Sequence, residues 1–214
     1  MNIISVNVGL PREVNWNGRA VSTGIFKEPI AGRIKVRSLN LEGDQQADLT
    51  VHGGVDKAVY AYSVESYDYW RDQLPEMDLP WGIFGENLTI AGLSEEMINV
   101  GDRFRVGTVE LIATQPRMPC YKLGIRFGRP DIVKQFLDSR LTGVYFAVGQ
   151  EGDIGAGDPV ELVNRDTNHV TIADITSLYV RETSDLDLLH RAIQHPVLPE
   201  IWRDYFQQRL AKQS

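Results

Sequence analysis

Thiol is nearly missing from this chain: its 214 residues include one cysteine, Cys120. An intrachain disulfide is therefore impossible, no cysteine-rich metal cluster can be built, and nothing points to an oxidising compartment, so the cytoplasm is the expected location. Histidine is scarce too, with four scattered residues, and the usual Cys/His zinc spacings do not occur. Positive charge falls short of negative: 22 Lys and Arg face 29 Asp and Glu, a formal net charge of −7. Nucleic acid and anionic membranes both demand a broad basic face, so neither is an expected partner, while a local basic pocket stays compatible with the balance. No apolar run approaches the ~20 residues that span a bilayer. The N-terminal stretch MNIISVNVGLPREVNWNG has no basic n-region or long apolar h-region and does not read as a signal peptide. A P-loop, a strand–GxGxxG–helix fingerprint and a Gly-x-Ser-x-Gly elbow are absent as well.

What is present is ordinary globular composition, 43% hydrophobic and 24% charged, long enough to bury a core without covalent staples. Up to about Arg165 the pattern is short strands cut by glycine. Residues 3–8 are β-rich; residues 32–41 (GRIKVRSLNL) alternate apolar and polar; residues 59–62, 144–148 and 159–163 are further strand candidates. Residues 97–106 and 109–114 flank Gly107-Thr108 as a hairpin. Gly-Asp pairs at 43–44, 101–102, 152–153 and 157–158 read as turn chemistry. Two short helices interrupt the strands, one capped by Ser63 and stopping before Pro75, the other opened by Pro130 and carrying Ile132, Val133, Phe136 and Leu137. Tyr67, Tyr69 and Trp70 read as core and helix-face residues. Many short strands with few helices predict a closed or nearly closed β-barrel. After about His169 the texture changes: residues 171–179, 185–194 and 199–212 read as amphipathic helices, with Leu186, Leu189 and Ile193 on one face and Ile201, Tyr205 and Leu210 contributing to another. His169 falls in the linker, and His190 and His195 read as solvated. The expected fold class is thus mainly β, a barrel over residues 1–166 followed by a small three-helix unit over 167–214.

Three segments carry candidate chemistry. In QPRMPCYKLG (115–124), Pro116 and Pro119 stiffen the approach to Cys120 at the end of a strand. Arg117 and Lys122 flank the thiol, and positive neighbours favour thiolate, the form that attacks carbon and binds metals. A buried, inert cysteine is the competing reading. In LNLEGDQQADLTVHGGVDKAVY (39–60), His52, Gly53 and Gly54 form a turn whose amides can approach an anion, with Lys57 adding charge; a plain polar loop explains the same residues. In FGENLT (84–89), Asn87 offers donor and acceptor to a heterocycle edge and Glu86 can pair with a cation, or the segment is simply a loop entering a strand.

Taken together with SVNVGLPREV (5–14), these motifs, in this order and spacing, resemble the MOSC family, and in particular its YiiM-type bacterial branch with a C-terminal 3-alpha domain. The resemblance runs over essentially the whole chain, and the joint occurrence is specific where each piece alone is not. It implies a MOSC β-barrel that binds a molybdenum cofactor, with Cys120 as the protein's ligand to a metal that also takes the two sulfurs of the pyranopterin dithiolene. A soft thiolate suits such a centre. A family-level association with pyridoxal phosphate comes with the resemblance too. The implied reaction is reduction of N-hydroxylated compounds such as 6-hydroxylaminopurine. The chain has no flavin fingerprint and no cysteines for an iron–sulfur cluster, so the resemblance implies electrons from a separate flavoprotein or iron–sulfur reductase; a homodimer is compatible.

On this reading Arg117 is the first choice for the cofactor's phosphate or nucleotide tail, because guanidinium binds phosphate bidentately, followed by Lys122, Lys57 and Arg12. His52 and Asn87 are candidates for the pterin edge, and Asp44 and Glu86 for relaying the proton that leaves as water. Three alternatives stay open: a thiol enzyme with Cys120 as nucleophile and His52 as base, a non-catalytic carrier of the cofactor or of a sulfur on Cys120, and a structural or interaction role for the helical unit.

Overall fold

The structure, a computed structural model, describes residues 1–47, 53–180 and 185–212. Its strands are β1 (Asn2–Val8), β2 (Arg12–Trp16), β3 (Arg19–Thr23), β4 (Glu28–Pro29), β5 (Arg33–Val36), β6 (Val59–Ser63), β7 (Leu88–Ala91), β8 (Arg103–Val106), β9 (Val109–Pro116), β10 (Val144–Gln150), β11 (Gly152–Gly155) and β12 (Val160–Asn164). The helices are α1 (Val64–Gln73), α2 (Tyr121–Phe127), α3 (Ile132–Ser139), α4 (Ile172–Val180), α5 (Leu186–Gln194) and α6 (Glu200–Ala211). Eight strands form one sheet in the order β12-β8-β9-β10-β6-β7-β1-β4, while β2–β3 and β5–β11 are separate ribbons.

Within the large sheet only β6 and β7 run parallel. Parallel neighbours need a crossover, usually a helix, and α1 supplies it. Ser63 caps α1 as its sequence predicts, accepting a hydrogen bond from the Ser66 amide. The expected barrel is not closed by a ladder. The outer edge of β1 is divided: β4 pairs with Asn7 and Val8, while the segment before β12 meets the first residues through the Asn2–Pro159 bridge. Backbone bonds from Ile3 to Asp158, Gly157 to Ile3 and Val160 to Met1 bring the two ends of the sheet together. Pro159 has no amide hydrogen with which to extend the pairing.

Two apolar clusters hold the fold. One runs across the sheet strands and continues, without a break, into Ile175, Leu178, Leu189, Leu198, Trp202 and Phe206 of the C-terminal helical unit. The other packs Tyr62, Tyr67, Trp70, Phe84, Phe127 and Phe136 between α1, α2, α3 and the sheet. Each fully buried side chain of this size contributes about 1.5–3 kcal/mol, so the C-terminal helices are fastened to the sheet by the same core that stabilises it. The connection is also pinned by hydrogen bonds. Asp102, wholly buried, accepts from the amides of Asn99 (2.9 Å) and Asp166 (2.8 Å) and from Arg165 (2.9 Å). Its neighbour Gly101 sits at φ 88°, where a Cβ would come within 2.6 Å of the Asp166 carboxylate. His195, expected in solvent, is 1% exposed: its Nδ1 accepts from the Val197 amide and its Nε2 faces Asp166, both at 3.2 Å.

Three elements escaped the sequence reading. The β2–β3 hairpin turns on Asn17-Gly18, both at positive φ, a pair that is itself a hairpin signal. The ribbon β5–β11 joins distant segments, and the strand read over residues 32–41 is confined to Arg33–Val36. Helix α2 starts directly after Cys120. No described helix is long and apolar enough to cross a membrane.

Candidate functional site

Strand β9 delivers the chain to Pro116, and residues 117–120 turn it into α2, with Cys120 as the extended residue before the helix. Cys120 is a free, half-buried thiol. Register builds its surroundings. Tyr145 on β10 lies opposite Gln115 on β9 and Tyr60 on β6, so Tyr60 and Tyr145 pack side by side with ring centres 5.1 Å apart. Above them Arg117 is buried, its guanidinium 5.2 Å from the centre of the Tyr60 ring and 5.1 Å from that of Phe136. Its Nη1 has no hydrogen-bond partner.

A cavity of about 90 Å³ opens in front of this group. Cys120, Arg117, Lys122, Lys57, Lys27 and Tyr145 line it, and among the described residues no Asp or Glu does. Four cations around one small space, in a protein of net charge −7, make a site for an anion. One of the four is neutralised from behind. Lys27 is buried and grips both carboxylate oxygens of Asp44 at 2.5 Å. Burial lowers the Lys27 ammonium below its usual range, against the pull of Asp44. Burial also lowers Lys57, with Asp56 opposing. Each lowering records a cation held partly out of water.

The residues singled out in the sequence divide into groups. Cys120, Arg117, Lys122, Lys57 and Asn87 come together on the cavity wall. The Asn87 side chain is already engaged: Oδ1 accepts from the Tyr60 amide (3.1 Å), and Nδ2 donates to Asp44 (2.9 Å) and to the Asn7 carbonyl (3.4 Å). Asp44 stands behind the wall, also accepting from the Gly9 amide at 2.9 Å. Glu86 is fully buried and does not line the cavity. Its Oε1 accepts from Tyr67 (2.5 Å), the Gly82 amide (2.7 Å) and Thr89 (2.9 Å), and Oε2 has no partner. Burial raises its carboxyl above the ordinary range, with those hydrogen bonds opposing. Arg12 is exposed and stacks 3.5 Å from the centre of the Phe26 ring, which Arg126 also approaches at 5.1 Å. His52 lies outside the described residues. The sequence reading missed Lys27, whose partner is 17 positions away, and Tyr145, an unremarkable strand residue until register sets it beside Arg117. Among the described residues no three His, Cys, Asp or Glu side chains gather around a metal position.

A second cavity, about 380 Å³, adjoins the first and shares Cys120, Met118, Tyr145 and Lys57 with it. Its outer wall is Tyr179 of α4 and Ile201, Trp202 and Tyr205 of α6. Tyr145 thus borders both spaces. Burial raises its hydroxyl above the usual tyrosine range, against the influence of Arg117.

Comparison with known proteins gives a consistent picture. The MOSC domain model matches residues 48–161, and the YiiM-like 3-alpha helix domain model matches residues 170–213. The chain is 36% identical to "Uncharacterized protein YflK" of Bacillus subtilis, over 97% of this chain and 94% of that one. It is 30% identical to a protein of Gibberella moniliformis named "Reductase", over 90% of this chain but 35% of the larger relative. The crystal structure of YiiM from Geobacillus stearothermophilus superposes with a TM-score of 0.81 at 34% identity, covering 98% of both chains.

Proposed function

Because the chain belongs to the MOSC family, in the branch that carries a YiiM-like 3-alpha helix domain, we propose that it is a molybdenum-cofactor-dependent reductase of N-hydroxylated small molecules, with Cys120 as the protein's ligand to the metal. The observation that carries this reading is the cationic cavity with one thiol on its wall and no described carboxylate. The family is associated with molybdenum-cofactor binding, and one relative bears the name reductase. The residues present fit such a group. Its tail is anionic, and the buried Arg117 Nη1 lacks a partner; its metal is soft, and Cys120 is the chain's sole thiol.

Arg117, Lys122 and Lys57 would hold the anionic tail, and Cys120 would anchor the metal. When bound, the group supplies two-electron redox chemistry. Overall, R–NHOH, two electrons and two protons become R–NH2 and water. Asp44 is committed to Lys27, and Glu86 is buried away from the cavity wall, so neither is placed to hand over a proton. Tyr145 is: it borders both cavities, and burial keeps its hydroxyl protonated. In this reading it donates to the oxygen that departs as water, and Arg117 beside it steadies the negative charge left behind. The electrons come from a separate flavoprotein or iron–sulfur reductase.

The test is expression in cofactor-competent and cofactor-deficient cells, with bound molybdenum and pterin measured for the wild type and Cys120→Ala. The expected result is metal in the wild type from competent cells and at least a tenfold loss in the variant. Equal metal in both would remove Cys120 as ligand. Metal without turnover of 6-hydroxylaminopurine, with a flavoprotein donor supplied, would leave a carrier in place of an enzyme.

A further inference from the structure

Beyond the four residues it shares with the first, the second cavity has a different lining. Apart from the residues it shares and Gln115, whose side-chain oxygen is taken by Trp202, its wall is apolar or aromatic: Pro116, Pro119, Tyr179, Ile201, Trp202 and Tyr205. Its volume, about 380 Å³, falls in the usual range for pockets that enclose a small organic molecule. Its single cation, Lys57, is one that it shares with the first cavity, and Arg117, Lys122 and Lys27 do not line it. Anything inside it meets Cys120 and Tyr145, which both spaces share.

The wall is also fixed in position. Trp202 donates from Nε1 to Oε1 of Gln115 at 2.7 Å, tying α6 to the end of β9 two residues before Arg117. Tyr179 packs against Trp202 and Tyr205, with ring centres 5.5 Å apart in each pair. A rigid aromatic wall binds flat ring systems with little loss of side-chain freedom. Against this wall, away from Lys57, a charged group would shed water without gaining a counter-ion.

We infer that the C-terminal helices are the substrate-selecting wall of the site: the second cavity receives an uncharged, flat heteroaromatic molecule, with Tyr179, Trp202 and Tyr205 setting its specificity and its reacting group turned toward Cys120 and Tyr145. This rests on the function proposed above and deepens it. It gives the helical unit a role in choosing the substrate and separates that role from cofactor binding, which belongs to the cationic cavity. The three aromatic residues are specificity residues; they take no proton and no electron.

The experiment compares wild type, Tyr205→Ala and Ile201→Glu with two substrates and one ligand. Ile201 is 71% exposed at the rim, so its replacement spares the core. With 6-hydroxylaminopurine, KM should rise about tenfold or more in both variants while kcat changes little. With hydroxylamine itself, too small to reach the helices, kcat/KM should stay at the wild-type value. Bound molybdenum and pterin should be unchanged. Independently of turnover, adenine titrated into cofactor-free protein should quench tryptophan fluorescence saturably, and both variants should bind it at least tenfold more weakly. Equal losses on both substrates, loss of pterin and metal with KM unaltered, or no adenine binding would overturn the inference; the second result would give the cavity to the cofactor's own ring. If the wild type holds no molybdenum but adenine binding persists and weakens in the variants, the proposed reaction falls and the compartment stands.

Discussion

Replacing Arg117 by methionine separates a cation kept for a ligand from one kept for the fold. Arg117 is 6% exposed, its Nη1 is unpartnered, and the groups that act on it most strongly against its burial are Tyr60, Tyr145 and Cys120, none a carboxylate. A buried donor left unmet costs about 1–3 kcal/mol. Its two ring contacts return about 0.5–2 kcal/mol each. These nearly cancel, and methionine refills the space between Tyr60 and Phe136 with a flexible apolar chain. Urea unfolding of the cofactor-free variant should therefore lie within about 1 kcal/mol of wild type, whereas breaking a paired buried cation costs about 3–5 kcal/mol. Cofactor binding should respond in the opposite way. Losing a charge-assisted hydrogen bond worth about 1.5–3 kcal/mol weakens affinity roughly 10- to 150-fold, read as the pterin and molybdenum retained after dialysis. A variant that unfolds several kcal/mol more easily yet keeps its cofactor would show that Arg117 serves packing, and the anion site would have to be sought elsewhere.

Three further outcomes follow from the same geometry. Tyr145→Phe removes only the hydroxyl, so kcat should fall about 100-fold, the lower end of general-acid effects, with metal content and substrate KM unchanged; a kcat within threefold of wild type would end its role as proton donor. Glu86 is raised by burial, so between its ordinary pKa and the raised one the folded protein holds a proton that the unfolded chain has lost. Stability therefore declines as pH rises through that window, by at most about 1.4 kcal/mol per pH unit. Glu86→Gln cannot titrate and should gain on the wild type as pH increases from 4.5, with parallel urea midpoints refuting the assignment. Asp102→Ala strands the amides of Asn99 and Asp166 and the Arg165 contact, and should cost about 3 kcal/mol, as expected for hydrogen bonds to a buried charge; a melting temperature like that of the wild type would mean the C-terminal helices do not depend on this junction.

The outline of the fold was legible because it rests on local pattern. Ser63 caps a helix where sequence places a cap, and Gly107-Thr108 joins β8 to β9 as read. What was hidden depends on pairing at a distance. Nothing near Lys27 announces that it will be buried on Asp44, and nothing near Tyr145 announces that its strand will lie between those of Tyr60 and Gln115. His195 looked solvated because a short helix with a polar face gives no hint that Asp166 will close over its end. Cys120, Arg117, Lys122 and Lys57 were found together because three of them share one ten-residue segment, and the fourth sits in the turn entering β6.

The other motifs that marked the family have a physical explanation of their own. Asn7 and Gly9 at the end of β1, Asp44, and Glu86 and Asn87 before β7 belong to one hydrogen-bonded network. Gly9 and Asn87 both donate to Asp44; the Asn7 amide donates to the Asn87 carbonyl (2.7 Å) while Asn87 donates back to the Asn7 carbonyl. Asn7 Nδ2 reaches the Glu86 carbonyl and Thr89, and Lys27 closes the network on Asp44. The segments are distant in sequence because each is the end of a different strand or loop, and they must carry these polar types because each is buried where an unpartnered group would cost about 1–3 kcal/mol. Their task is to hold β1, β6 and the turn before β7 in register, which sets the wall facing Cys120. The two kinds of motif should therefore fail differently. Changes at Asp44 or Asn87 should lower stability first and cofactor retention only in consequence, whereas changes at Cys120 and Arg117 should remove the cofactor from a protein that still folds.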